Sequence, residues 1–338
     1  MGHDWLLIET LGDEPAVVAQ GRQLKNMVPL SAFLRRNPYL QVVAEAVKRT
    51  ARTGRGVNRV LPGTDRVILA EAVRMSDGRV HGVQVWNGCV GEEPPERPVI
   101  GPLTWDLTSG VATDTAESLS NSGMDPSSER THGRAFAEDL PRKSLNANEA
   151  EVLSLAIRCA PGDSICSTWD VTDRNGEPIK VGFVARANLE TLPDGSRHLI
   201  SRALNWRVER DGPAVAHDFL AQRILDGLAQ PGTYRALVDL HSWILLKWLD
   251  EPCPYFNWRQ TGDPMVHPAD EHLMPAMTTE FAHGPTSRVL RLKGNDGGWV
   301  PLHVTVSRVE LDKKAVAALI SLRLPTEAEL TDSRLSAP

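Results

Sequence analysis

The chain has 338 residues, with 37 Lys and Arg against 43 Asp and Glu, a formal charge of -6 and a pI near 6.0. That acidic balance disfavours nucleic acid or an anionic membrane as the main partner, and no apolar run reaches the roughly 18 residues of a membrane span. At about 100 to 150 residues per domain the length predicts two or three domains, each able to hold its own core.

The N-terminal run Met1-Gly2-His3-Asp4-Trp5 carries an acid where a signal peptide carries lysines, so a cytoplasmic protein is expected. Cys89, Cys159, Cys166 and Cys253 are too few for a disulfide framework and wrongly spaced for a zinc site. Reduced, mostly buried thiols are expected, and packing is preferred over a redox role for Cys159 and Cys166.

The first module opens with two short apolar runs, 5–11 and 16–20, separated by Gly12-Asp13-Glu14-Pro15, which reads as a hairpin. Asn37 can cap a helix, Pro38 suits its first position, and Leu40, Val43, Ala44, Val47 and Ala51 share a face before Gly54 stops it. Residues 67–75 and 80–86 then form a hairpin through Ser76-Asp77-Gly78, a turn suited to positive backbone dihedrals.

A stretch rich in Glu and Pro, 91–102, reads as a linker. In the second module, 103–107 and 111–115 flank Thr108-Ser109-Gly110 as a hairpin, and the polar stretch 117–143 reads as a binding loop or a partly mobile segment. Asn146 with Glu149 has the spacing of a capping box, and Val152, Leu155, Ala156 and Cys159 make one apolar face before Pro161-Gly162. Three strands follow at 164–171, 179–189 and 197–208.

A helix is expected between Gly212-Pro213 and Pro231-Gly232, marked by Val215, Phe219, Ile224, Leu225 and Leu228. The third module is expected to open at 242–249, to hold helix within 268–283, and to close with strands at 288–293, 299–310 and 316–324. Alternation through Leu302, Val304, Val306 and Val309 predicts a sheet with one buried face. The predicted boundaries are 1–95, 98–212 and 213–326, with a frayed polar tail at 327–338. The fold class is α+β: three tandem domains, each a central antiparallel sheet with short helices.

Two strands, short helices, then three antiparallel strands resemble the topology of PAS domains and, with additions, of GAF domains. In the third module Val266-His267-Pro268-Ala269-Asp270, followed by Gly294-Asn295-Asp296-Gly297-Gly298-Trp299, resembles the paired PAS signature. The middle module is similar to a GAF domain or an enlarged PAS domain. With the run from Asp4-Trp5-Leu6-Leu7-Ile8-Glu9-Thr10-Leu11-Gly12, the whole chain resembles a mycobacterial family of PAS-GAF-PAS triple-sensor proteins. The resemblance implies a signalling sensor or adaptor with no attached output domain. The expected partners are an unidentified signalling protein, a small-molecule ligand and a second copy of the chain in a homodimer, with neither nucleic acid nor membrane insertion.

The cofactor stays unknown: Gly88-Cys89-Val90 lacks the Asn-Cys-Arg context of a photoreactive flavin site, and no bilin-binding cysteine is recognisable. Candidate ligand-binding residues are Trp243, Trp248 and Trp258, from an aromatic group that includes Tyr255, Phe256 and Trp299, together with His267 and His272 on a short helical stretch. Core packing competes for most of the aromatics, Trp299 among them, and a helix-start role competes for His267. The basic set Lys48, Arg49, Arg52, Arg55 and Arg59 suits a helix C-terminus rather than nucleic acid. No catalytic or metal-binding motif stands out, so no enzyme is expected. The competing readings are a ligand-free interaction scaffold and an enzyme with its site under 117–143.

Overall fold

The computed structural model describes residues 4–140, 148–209, 220–261, 264–312 and 315–333. The described strands form three antiparallel sheets accompanied by short helices, one sheet for each of three tandem domains.

In the first domain β1 (Leu6–Glu9), β2 (Ala16–Gln20) and β3 (Gln23–Pro29) precede α1 (Leu30–Phe33) and α2 (Leu40–Thr53). Next come β4 (Val57–Val60), β5 (Arg66–Arg74) and β6 (Val80–Cys89), giving the order β3-β2-β1-β6-β5-β4. The edge strands β3 and β4 escape a reading of periodicity because neither has a buried face; the backbone ladder alone defines them. Gly54 closes α2 at φ +62°, its N–H donating to Thr50 O. Asn37 is not the cap: its side chain accepts from Tyr39 N–H in a turn, and the helix starts at Leu40. The buried stripe is Val43, Ala46, Val47 and Thr50, rotated slightly from the expected face.

The second domain contains β7 (Ile100–Asp106), β8 (Val111–Asp114), α3 (Ala116–Asn121), β9 (Arg134–Ala135), α4 (Glu149–Arg158), β10 (Ser164–Thr172), β11 (Pro178–Thr191) and β12 (Arg197–Arg207). Its order, β10-β11-β12-β7-β8-β9, repeats that of the first domain when each is counted from its own first strand. The stretch expected as a loop begins as α3, capped by Thr115, and ends in β9 and a 3-10 turn at Phe136–Glu138; residues 141–143 lie outside the described residues. The expected cap Asn146 also lies outside them, and α4 buries Glu149, Val152, Leu153 and Ser154 rather than Leu155, Ala156 and Cys159. The apolar stripe misled because the first residue of this helix, Glu149, is buried in an ion pair with Lys247, which turns the helix onto a different face.

The third domain has α5 (Leu220–Gly227), β13 (Tyr234–Asp239), β14 (Leu245–Trp248), α6 (Leu273–Glu280), β15 (Thr286–Lys293), β16 (Trp299–Glu310), β17 (Val316–Arg323) and α7 (Glu327–Asp332). Its order, β14-β13-β17-β16-β15, is the same plan without the third strand. The opening strand begins at Tyr234, earlier than expected, because α5 ends at Gly227 and leaves Pro231-Gly232 in a turn. Val215 and Phe219, expected on that helix, lie outside the described residues; Ile224 and Leu228 are exposed. The stretch after Pro325 is no frayed tail at its start: Thr326 and Glu329 form a reciprocal capping box on α7. The cysteines are free, but only Cys253 is fully buried; the other three are half-buried.

Two compact units emerge: 1–105 with 113–132 and 160–215, and 106–112 with 133–159 and 216–338. In the first unit, successive residues of β1 and β2 point to opposite faces, and both faces are buried. Ile8 and Val17 pack under α2 with Val43 and Val47, while Leu7, Val18 and Ala19 meet Val184, Leu204 and Trp206 of the second sheet. The sheets approach closely at Gly82, where an added Cβ would lie 2.8 Å from Leu204 Cδ1 and 2.9 Å from Ile8 O. Beside it His81 is fully buried, with Nδ1 3.0 Å from Ala203 O and Nε2 3.1 Å from Arg202 Nη1. This fits a neutral imidazole that donates through Nδ1 and accepts from Arg202. Arg202 also donates to both carboxylate oxygens of Glu190.

On the other side of the second sheet a buried amide network holds α3. Asn205 Nδ2 donates to Ser118 O and Oγ, Asn121 Nδ2 donates to Val99 O and Asn205 Oδ1, and Ser118 Oγ donates to Asp114. A Cβ on Gly101 would lie 2.3 Å from the Ser118 backbone, so the helix seats directly on the strand. Gly101→Ala should therefore cost about 1 to 3 kcal/mol, read by urea unfolding of the full chain.

Burial, reinforced by the nearby Arg202 charge against a weaker opposing bond to Ala203 O, lowers His81 to a pKa of about 4. Between that value and the unfolded value of 6.5 the unfolded chain binds more protons, so stability rises with pH across this window and the contribution is lost as pH falls. From pH 7 to 4, wild type should lose roughly 3 kcal/mol more than His81→Gln. Equal losses in urea titrations would remove the assignment.

Candidate functional site

The third sheet has a long apolar face that its short helices cover only in part. Leu302, Val304 and Val306, on one face of β16, are buried with Ala318, Ile320 and Leu322 of β17, as the alternation predicts. Above them α6, only eight residues long, and irregular chain at 249–261 and 264–272 leave a cavity of about 480 Å³. Its floor includes Val238, Leu290, Leu292, Val304, Ile320 and Leu322. Trp243, Phe256, Trp258, Met265 and Met274 form the aromatic and thioether wall.

A further wall comes from elements earlier in the chain that belong to the same compact unit. The Thr108-Ser109-Gly110 turn and Ala135 line the cavity. Asp106 shapes that turn: its carboxylate accepts from Thr108 N–H, Ser109 N–H and Ser109 Oγ. Gly110, at φ +71°, lies so near Ile244 that an added Cβ would sit 2.6 Å from Ile244 Cγ2. Thr261 Oγ1 donates to Gly133 O at 3.3 Å, and the buried pair Lys247 and Glu149 ties β14 to α4.

Opposite Gly110, Trp243 adopts φ +58°. Such a conformation is sterically unfavourable for a bulky residue and costs about 1 to 3 kcal/mol. Asp239 holds it: its carbonyl accepts from Trp243 N–H at 2.8 Å and its carboxylate accepts from the N–H groups of His241 and Ser242. The strain places a half-buried indole in the cavity wall rather than in the closed core.

Of the five residues expected at a site, Trp243 and Trp258 line the cavity. Trp248 is fully buried behind them, packed edge-on against Trp258 at 5.9 Å, so its place is core. His267 and His272 are not in the lining, and the two do not share a helical stretch. His267 is extended, its N–H donating to Arg291 O beside the Val266 to Leu292 bridge, because the residue before a proline is driven out of the helical region. His272 is the exposed N-cap position of α6. Trp299, expected in the core, is half-buried; it stacks edge-on with His267 at 4.9 Å and lies under Lys293 Nζ at 4.9 Å. The two signature runs thus meet in space. Asp270 binds Arg291 in bidentate fashion; burial raises its carboxyl pKa, and the Arg291 bonds more than offset this, leaving it below the usual range.

The turn at 108–110, Ala135 and the two methionines were missed as site residues, since they lie far apart in sequence and carry no motif. Among the described lining residues Glu271 is the one ionisable group, at the exposed rim. The set is suited to a largely apolar molecule that needs a few hydrogen bonds from Ser109, Gln260 or Thr261. Among the described residues no cluster of three or more His, Cys, Asp or Glu could hold a metal ion. No described helix is long and apolar enough to cross a membrane.

Comparison with known proteins places this geometry. Residues 4–96 match the Rv3651-like N-terminal domain, 99–208 the Rv3651-like middle domain and 218–333 the Rv3651-like C-terminal domain. The chain belongs to the Rv3651-like family. A crystal structure of an uncharacterized protein from Mycobacterium tuberculosis is similar over 99% of this chain and 100% of its own, at 55% identity and a TM-score of 0.92. Two sensor proteins match far more distantly. A sensory box histidine kinase/response regulator from Burkholderia thailandensis E264 is 12% identical over 33% of this chain and 78% of its own, with a TM-score of 0.24. An RNA-binding light-oxygen-voltage receptor is 12% identical over 70% of this chain and 97% of its own, with a TM-score of 0.26. No curated protein matches the chain. In the Rv3651-like C-terminal domain as it stands here, the cavity borrows its far wall from residues inside the middle-domain match.

If Trp248 is core and Trp243 strained wall, their truncations should differ. Trp248→Ala should cost about 3 to 5 kcal/mol in urea unfolding of the full chain. Trp243→Gly, which relieves the positive φ, should cost less than half as much; equal losses would place Trp243 in the core instead.

Proposed function

We propose that the protein is a cytoplasmic signalling sensor or adaptor, non-catalytic, in which the third domain's cavity receives a small ligand and the answer passes to a protein partner. The domains are PAS-like, GAF-like and PAS-like in this reading. Support comes from the strand order, since in each domain the first strand sits between the second and the last, with the remaining strands following in a meander. The single observation that carries the reading is the cavity of about 480 Å³, lined by Trp243, Phe256 and Trp258 and bounded by the 108–110 turn.

A ligand there touches elements that can move separately: the strained turn at Trp243, α6 through Met274, and the Gly110 turn. Differential contact with two arrangements of these elements is what a sensor requires, and about 1 to 3 kcal/mol of coupling is typical. The middle domain contributes differently. Its α3 is locked to the sheet by Asn205, Ser118 and Asn121 with no slack at Gly101, which favours a scaffolding part for that domain.

The lining also sets the ligand's charge, because Glu271 is the one ionisable group among its described residues. Uncharged N-phenyl-1-naphthylamine should bind the full-length protein saturably and one to one. Its anionic relative 8-anilinonaphthalene-1-sulfonate should bind about tenfold more weakly, a difference worth about 1.4 kcal/mol. Ala135→Phe, which fills the cavity from β9, should abolish the fluorescence gain while leaving the circular dichroism spectrum unchanged. Equal binding of both dyes that survives Ala135→Phe would move the site elsewhere.

A further inference from the structure

The first domain has a cavity of its own, about 470 Å³ in volume, and its chemistry is the reverse of the third domain's. It lies where the third domain's cavity lies in the shared plan, between the sheet and the segment that leads into the main helix. Phe33, Tyr39, Val43 and Val85 provide an apolar side. Its polar part is Asp4, Gln20, Arg36, Asn37, Arg66 and Asn87.

Three features of that polar set point to a ligand. Arg36 and Arg66 share the lining with one carboxylate, Asp4, so the lining carries a net positive charge. Neither Arg36 nor Asp4 has an ion pair among the described residues, and Arg66 has only a loose contact of 3.9 Å with its exposed neighbour Asp65. Asn87 Oδ1 is buried yet finds no donor among the described residues, a costly state that a bound donor group would relieve. A folded protein seldom leaves an acceptor of this kind unmet beside unpaired charges of both signs.

We propose that this cavity is a second binding site, for a small zwitterion of the amino-acid class. Its carboxylate is taken by Arg36 and Arg66, its ammonium by Asp4, and a further donor by Asn87 Oδ1; a planar guanidinium fork matches a carboxylate better than any other cationic side chain does. The apolar side at Phe33 and Tyr39 leaves room for a side chain and excludes larger polar molecules. The two cavities then give one chain two inputs of unlike chemistry, one polar and charged, the other largely apolar. This inference does not depend on the third-domain reading, as the two linings share no residue.

The test is isothermal titration of the full-length protein at low salt with each of the twenty amino acids, and with acetate, propionate and butyrate as carboxylates lacking the amine. At least one amino acid should bind one to one, and the simple carboxylates about tenfold more weakly or worse. The double variant Arg36→Gln with Arg66→Gln should lose about tenfold or more in affinity, with an unchanged circular dichroism spectrum. Asp4→Asn should remove the preference for the amine. Absence of saturable heat with every probe, or affinity untouched in the double variant, would overturn the proposal.

Discussion

Every sheet in this protein obeys one constraint: its apolar face must be covered, and the cover available differs from domain to domain. The first sheet is covered on one side by the fourteen-residue α2 and on the other by the second sheet, so β1 and β2 are buried on both faces. The second sheet receives α3 at the closest approach a glycine permits. The third receives only the eight-residue α6 and irregular chain, too little to fill the volume over β15, β16 and β17. A cavity is the direct result, and the candidate function follows from this shortfall.

Polar groups confined to the interior fix how the covers sit. Asn205, Asn121 and Ser118 close the space under α3 by satisfying one another, which leaves that helix one position. His81, squeezed neutral between Ala203 O and Arg202, does the same for the two sheets of the first unit. Around the third-domain cavity the equivalent restraint is strain rather than satisfaction. Trp243 stays at positive φ because Asp239 holds the turn, and Gly110 permits the approach of Ile244. A wall held by strain has another arrangement close in energy, whereas a wall held by a satisfied amide network does not.

Much of the fold was legible in the sequence, for reasons visible in particular elements. The turn at Gly78 has φ +85°, a requirement that other residues meet poorly, so it announced its hairpin. The long strand β16 alternates because one face is core, whereas β11 and β12 are buried on both faces and were legible as apolar-rich runs between turns. Edge strands β3 and β4 have no buried face and gave no signal. The polar stretch after Thr115 looked like a loop because α3 buries Ser118 and Asn121 beside Leu119, and the amide that engages both, Asn205, lies far away in sequence. The site was half legible: tryptophan density found Trp243 and Trp258, but proline geometry at Pro268 turned His267 away from the expected helix. The cavity's far wall, from Thr108 to Gly110 and Ala135, came from tertiary packing alone.

The central claim is that the third-domain cavity holds a ligand in the working protein. Native mass spectrometry of the full-length protein, compared with its denatured mass and followed by an absorbance scan, tests it most directly. The account predicts a retained noncovalent mass of a size that about 480 Å³ can hold, lost on denaturation and lost in Ala135→Phe. A retained mass that persists in that variant, or a bare protein mass from every preparation, would contradict the claim and leave a scaffold built of closed sheets.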